Sequence, residues 1–277
     1  MLRVLIDNPN GIFSNRCFDQ QGVSLITASE QLLKKHSLNK WVVDQDIDIV
    51  CIMQNSLAKE LRDQLPCDDR RICIPSAHDL KFEDKYYFSE WMKHNGFSHL
   101  LPMPTGKGPV VVKYGNDRAG RGVQIHHHID DVQHVEGEGV VIQRAIPGLR
   151  ELAIHVIADQ GELVEMIVFE HDFSSVTQDP LYIRGEGVHN KIVRQINCFS
   201  HYREIKEIIS KMGYHGVGCF DGKIHDGKMY LFEMNTHIGG SMFFYNHHHG
   251  MLAPFLSRLQ HQYANTLRRS DVSAQSI

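Results

Sequence analysis

Along residues 1–75, short apolar runs alternate with longer mixed stretches. The runs at 2–6, 24–26, 47–53 and 72–74 have the length of buried strands, and residues 56–65 place apolar side chains at three- and four-residue spacing, the period of an amphipathic helix. Strands alternating with helices predict a small parallel sheet. Residues 82–95 predict a helix on which Tyr87, Phe88, Trp91 and Met92 form one apolar stripe, with Asn95-Gly96 as its stop. Further on, the period falls to two. An apolar run ends in Lys113 and a second resumes after Gly122. Two strands are predicted around Asp159-Gln160-Gly161, and two more, 218–224 and 228–235, around His225-Asp226-Gly227. Residues 201–212 predict a helix stopped by Gly213. Residues 171–190 are polar, a stretch of the length that often faces a substrate, and the residues after Ala264 read as a frayed tail.

The last hairpin carries chemistry. Side chains alternate along a strand, so Glu233 and Asn235 share a face. A three-residue turn with Gly227 in the left-handed position sets Asp221 opposite Leu231, with Glu233 as its diagonal neighbour on the same face. A two-residue Asp226-Gly227 turn would put Asp221 on the other face. Two carboxylates and an amide on one face suit a hard cation such as Mg²⁺, which is usually shared with substrate phosphates and seldom caged by protein alone. Upstream, Lys113 is followed by Gly115, Gly120 and Gly122. Backbone N–H groups of such a loop beside a lysine make a phosphate cradle. The lysine precedes the glycines, which excludes the P-loop pattern, and a strand-like run follows, which excludes the dinucleotide fingerprint.

These blocks, in this order, resemble the ATP-grasp superfamily, to which biotin carboxylase and D-alanine–D-alanine ligase belong. The likeness covers about residues 75–245: Pro75-Ser76 with Glu83-Asp84-Lys85, the Lys113 strand and its loop, residues 140–151 as a hinge, and the acidic hairpin. It implies an α/β fold with α+β lobes: a small parallel-sheet domain at 1–75, then an ATP-grasp domain at 76–265 (small lobe about 105–141, large lobe about 145–265) and a tail at 266–277. It implies ATP held by Lys85, Lys113, Gly120 and Gly122, with adenine against Gln143, Arg144 and Ile146 and the ribose at Glu151. Asp221, Glu233 and Asn235 would hold two Mg²⁺ ions, or Mn²⁺. The chain departs from the family pattern in having Gln143 at the start of the hinge, one extra residue before Glu151, and His237 where an arginine often steadies an acyl phosphate. The implied activity is that of an ADP-forming carboxylate–amine (or thiol) ligase. Arg184 and Arg194 are the candidates for the substrate carboxylate, because a guanidinium matches a carboxylate at two points, and His237 for the acyl phosphate. A kinase-like phosphotransferase and a non-catalytic nucleotide-binding module are the alternatives, with a histidine-rich metal store more distant.

Composition narrows the classes. The chain has 277 residues, 42% hydrophobic and 22% charged, as in a soluble globular protein of one or two domains. A net charge of −4 offers no basic field for nucleic acid or an anionic membrane. No run approaches the ~20 apolar residues that span a bilayer, and the first strand is too short for a signal peptide. The 6 cysteines form no Cys-x-x-Cys pair, which speaks against a zinc site or disulfide framework and for reduced thiols in a cytoplasm; Cys219 reads as a buried structural thiol. Among 19 histidines, the triplets 126–128 and 247–249 cannot turn all three rings to one ion if they lie on strands. Relatives of this kind are often homodimers, and the partners expected here are small molecules.

Overall fold

The structure, a computed structural model, describes residues 2–7, 23–28, 44–52, 57, 75–76, 78–104, 108–114, 122–132, 139–182, 192–239 and 241–244. The strand expected at 72–74, all but Leu57 of the helix expected at 56–65, and the tail lie outside these residues.

Three sheets make up the described part. The first is parallel, in the order β2-β1-β3, from β1 (Leu2–Asp7), β2 (Val23–Ala28) and β3 (Ile49–Cys51). Val4, Leu5 and Ile6 are fully buried, as the continuous apolar run requires of a parallel strand covered on both faces. The second is antiparallel, in the order β5-β4-β6, from β4 (Val110–Tyr114), β5 (Gln124–His126) and β6 (Val140–Arg144). Val110, Val112 and Val132 form a small core on one face of it. Lys113, paired with Val141, and Gln143 point to the other face. The third is an antiparallel sheet of order β11-β10-β7-β8-β9, from β7 (Arg150–Asp159), β8 (Glu162–Asp172), β9 (Ile192–Ile196), β10 (Gly216–His225) and β11 (Lys228–Asn235).

Helices α1 (Lys85–His94) and α2 (Tyr202–Met212) pack on one face of the large sheet. Asp84 caps α1, its carboxylate accepting the Tyr87 N–H at 2.8 Å, which satisfies one of the free N–H groups of the first turn. Phe88 and Met92 enter the core with Ile205, Ile208 and Ile209 of α2 and with Leu152, Ile154 and Phe220 of the sheet. Each such side chain contributes about 1.5–3 kcal/mol by leaving water. A third, short helix, α3 (Ser241–Phe244), follows β11. No helix among the described residues is long and apolar enough to cross a membrane. Of the histidine triplets, only His126 lies in a strand; residues 247–249 fall outside the described chain.

The β10–β11 turn differs from the three-residue expectation. It is the two-residue turn Asp226-Gly227, with φ of 51° and 73°, between the pair His225–Lys228. Two positive φ values match the right-handed twist of the strands. Continued without interruption, that register would set Asp221 opposite Phe232 and divide the carboxylates between the faces. A bulge prevents this. Gly222 pairs with Leu231, Asp221 pairs with Glu233, and Phe232 is the extra residue. Gly222 is needed here: a Cβ would overlap the Tyr230 carbonyl oxygen.

Candidate active site

With the bulge in place, Asp221 and Glu233 are directly opposed and share the sheet face away from the helices. Asn235 lies on the same face, and its amide nitrogen donates to Asp221 Oδ2 at 3.2 Å. Two lysines from other elements reach this point. Lys85 Nζ, from the first turn of α1, is 3.5 Å from Glu233 Oε2, and Lys113 Nζ, from β4, is 4.0 Å from the same oxygen. Both lysines are buried. Burial pulls the Lys113 ammonium below its ordinary value; Glu233 opposes that shift and the like charge of Lys85 adds to it. Lys113 also lies over the Phe232 ring, 5.0 Å from its centroid, so the residue extruded by the bulge packs under the lysine. A helix N-terminus is a poor place for a cation, and Lys85 holds it through the Glu233 contact.

The donors at Asp221, Glu233 and Asn235 are all oxygens on one face, which fits a hard divalent cation. Two lysines against the same carboxylate also fit a polyanion bound alongside such a cation.

The hinge connects β6 to β7. Gln143 is buried, and its side-chain nitrogen donates to the Phe232 carbonyl at 3.3 Å, tying the small sheet to the bulge. The Arg144 guanidinium lies over the Tyr230 ring at 5.2 Å. Ile146 and Glu151 meet a residue absent from the expected set, Lys223. It is two positions beyond Asp221 on β10, hence on the same face. Its ammonium donates to the carbonyls of Gly148 at 2.8 Å and Ile146 at 3.3 Å, and lies 3.9 Å from Glu151 Oε1. Burial shifts its pKa down, opposed by Glu151. The sequence signal was a lysine in phase with Asp221 in an otherwise apolar strand.

At the other end, His237 Nε2 is 3.7 Å from Glu83 Oε1, while Glu83 Oε2 accepts from the Thr236 N–H at 2.7 Å and its hydroxyl at 3.1 Å. Glu83 was legible only as part of the Glu83-Asp84-Lys85 block. Farther along the same face, buried His155 is paired across the strands with Cys219, and its Nε2 lies 2.6 Å from Ser241 Oγ. Burial, with the charge of His237 adding, lowers the His155 pKa to about 3, so it is neutral at physiological pH. Cys219 is buried and in no disulfide.

Some expected residues are not brought here. Arg194 is a correction: it pairs with Glu170, which pairs with Leu152, which pairs with Gly222, so period-two alternation puts it on the face opposite Asp221. It is exposed there beside Asp172, whose pKa lies below its ordinary value first because Ser174 donates to it, then through Arg150 and Arg194. Gly122, with φ of 73°, leads into β5. Gly120 and Arg184 lie outside the described residues. A cavity of about 260 Å³ between α1, residues 101–104 and β6 touches this set only at Gln143. Converging charged groups, not cavity size, define the site.

No family model and no curated protein matches the chain. Solved structures do. Phosphoribosylamine–glycine ligase from Thermotoga maritima aligns over 86% of this chain and 69% of its own, with a TM-score of 0.56 at 17% identity. L-amino acid ligase from Bacillus licheniformis covers 87% and 68%, with a TM-score of 0.55 at 17% identity. D-alanine–D-alanine ligase from Bacillus anthracis covers 96% and 100%, with a TM-score of 0.52 at 14% identity. At 14–17% identity these likenesses bear on the fold alone, and that fold is the ATP-grasp fold.

Proposed function

We propose that the protein is an ATP-dependent, ADP-forming ligase that joins a carboxylate to an amine or thiol. The observation that carries this reading is the convergence of Lys85 and Lys113 on Glu233, with Asp221 and Asn235 beside it on one sheet face. Support comes also from the neighbours: the Bacillus anthracis ligase is solved with ATP, and the biotin carboxylase domain of a Hydrogenobacter thermophilus carboxylase with MgADP.

In this reading adenine lies against the hinge backbone at Gln143, Arg144 and Ile146, the ribose hydroxyls meet Glu151, and the loop with Gly120 and Gly122 covers the phosphates. Lys85 and Lys113 compensate the charge that spreads over the transferring phosphoryl oxygens. Asp221, Glu233 and Asn235 would hold two Mg²⁺ ions, or Mn²⁺, whose chemistry is to neutralise the phosphates and align them in line. A substrate carboxylate oxygen attacks the γ-phosphorus as the bond to ADP breaks, giving an acyl phosphate. The amine or thiol then attacks the acyl carbon and phosphate leaves. His237, held by Glu83, is the candidate to steady the acyl phosphate, and Arg184 is the candidate for the carboxylate. The reading keeps residues 1–75, 76–265 and 266–277 as domain, ATP-grasp domain and tail, and takes the cytoplasm, small-molecule partners and a homodimeric assembly as its setting.

The test is ADP release from MgATP against a panel of carboxylates paired with amines, repeated with hydroxylamine. A carboxylate-dependent release that yields a hydroxamate supports the ligase. Release that depends on a hydroxyl acceptor and yields no hydroxamate points to the phosphotransferase. MgATP binding without turnover across the panel points to a regulatory module.

A further inference from the structure

Among the described residues, Lys223 is the one charged side chain on the hinge end of the site face that the mechanism above does not use. It is 4% exposed. A buried charge is weak evidence of a stabilising role, because an apolar side chain of the same shape is often at least as stable in its place. Its presence asks for another reason, and its partners supply one. All three lie within residues 146–151, from the β6–β7 connection into the start of β7, where the proposed function puts the nucleoside: the carbonyls of Ile146 and Gly148, at 3.3 and 2.8 Å, and the carboxylate of Glu151, at 3.9 Å. A lysine ammonium has three donors and no acceptor, so one group gathers the hinge backbone and the ribose carboxylate from a strand, β10, that also carries Asp221. Lys223 shares a face of β10 with Asp221, two positions away, while its ammonium holds the hinge.

We propose that Lys223 is a positioning residue for the nucleoside: it clamps residues 146–148 and Glu151 to β10, so that Glu151 is presented to the ribose hydroxyls at a set distance from Asp221. This rests on the nucleotide-binding reading above and deepens it, since it assigns sugar recognition to a pair, Lys223 with Glu151, and not to Glu151 alone. Lys223 acts through Glu151 and the hinge; it touches no reacting atom.

The full-length protein tests this by equilibrium titration with MgATP and with Mg-2′,3′-dideoxy-ATP, alongside KM and kcat and the thermal midpoint without nucleotide. Lys223→Met keeps the stem and removes the donors. Hydrogen bonds to charged groups are worth about 1.5–3 kcal/mol, so Kd and KM for MgATP are expected to rise about 10- to 100-fold with kcat within a few-fold of wild type. The dideoxy nucleotide, lacking the hydroxyls, should weaken far less, so that the preference for the natural sugar collapses. Glu151→Gln should remove the same preference, and the double variant should add little to either single one. Lys223→Leu, which also removes the donors, provides a second variant if the methionine form is poorly folded. The proposal is overturned if a variant with the wild-type thermal midpoint binds both nucleotides as wild type does, or loses both equally. Wild-type protein that binds neither nucleotide overturns the nucleotide reading itself, an outcome separate from a failure of Lys223 alone.

Discussion

Two hairpins of the large sheet solve the same geometric problem with different tolerances. β7–β8 turns through Gln160-Gly161 and β10–β11 through Asp226-Gly227, and both central residues of each turn have positive φ. Each hairpin then carries one extra residue on its second strand: Val164, between the pairs Ala158–Leu163 and Ile157–Glu165, and Phe232, between Gly222–Leu231 and Asp221–Glu233. The extra residue undoes the offset of the two-residue turn, so beyond each bulge the facing residues are those a longer turn would have set. In β7–β8 the position beside the bulge is Ala158, an ordinary core residue. In β10–β11 it is Gly222, where no Cβ fits. The bulge in the first hairpin serves packing. In the second it keeps two carboxylates on one face, next to two lysines, and leaves no room for adjustment.

The largest effect should come from removing what the second bulge presents. Glu233→Gln is expected to lower kcat by about 100- to 1000-fold, as loss of one group stabilising transition-state charge does, while the thermal midpoint changes little. Near-normal turnover in the folded variant would mean that the bulge has no chemical purpose.

Next come substitutions beside the bulges. Gly222→Ala should cost about 1–3 kcal/mol by overpacking and weaken MgATP binding as well. Ala158→Gly, at the matching place in β7–β8, should cost about 0.5–1 kcal/mol and leave nucleotide binding as it was. Denaturant midpoints and ATP titrations of the two variants, compared side by side, would abolish the contrast if they came out alike.

The turns themselves should differ in the reverse sense. A Cβ at Gly227 meets nothing within 4 Å, whereas one at Gly161 would stand 3.1 Å from the Ser210 carbonyl of α2. Gly227→Ala is therefore expected to cost about 1 kcal/mol for the left-handed φ alone, and Gly161→Ala more than that, as read from unfolding curves.

The smallest effect at neutral pH belongs to His155 on β7. Its folded-state pKa of about 3 lies below the ordinary 6.5, so the unfolded chain binds a proton there that the folded chain does not. Stability should fall as pH drops from about 6.5 toward 3, and His155→Gln should flatten that limb of the thermal-midpoint profile. An unchanged acid limb would show that His155 is not held neutral.

Much of this was written in the sequence, because it depends on neighbours along the chain. Period-two and period-3.6 patterns predicted β7, β8, β10 and β11 of the large sheet and both long helices, but not β9. The spacing of Asp221, Glu233 and Asn235 named the acidic cluster, and Lys85 and Lys113 stood in recognisable blocks. The two-residue Asp226-Gly227 turn stood in the sequence only as the alternative to the three-residue turn expected there, and the bulge beyond it left no local signal. A two-residue turn separates the carboxylates, and only a bulge, a property of two strands pairing, reunites them. The misplacement of Arg194 has the same origin, since three strand registers decide its face and none is local. Lys223, the partners of Glu83 and the His155–Ser241 pair became visible only when residues 64 to 153 positions apart, such as His155 with Cys219 and Thr236 with Glu83, were brought together. A sequence fixes which groups a chain carries and how each segment alternates; which groups meet depends on cross-strand register, where a shift of one residue exchanges the two faces of a sheet.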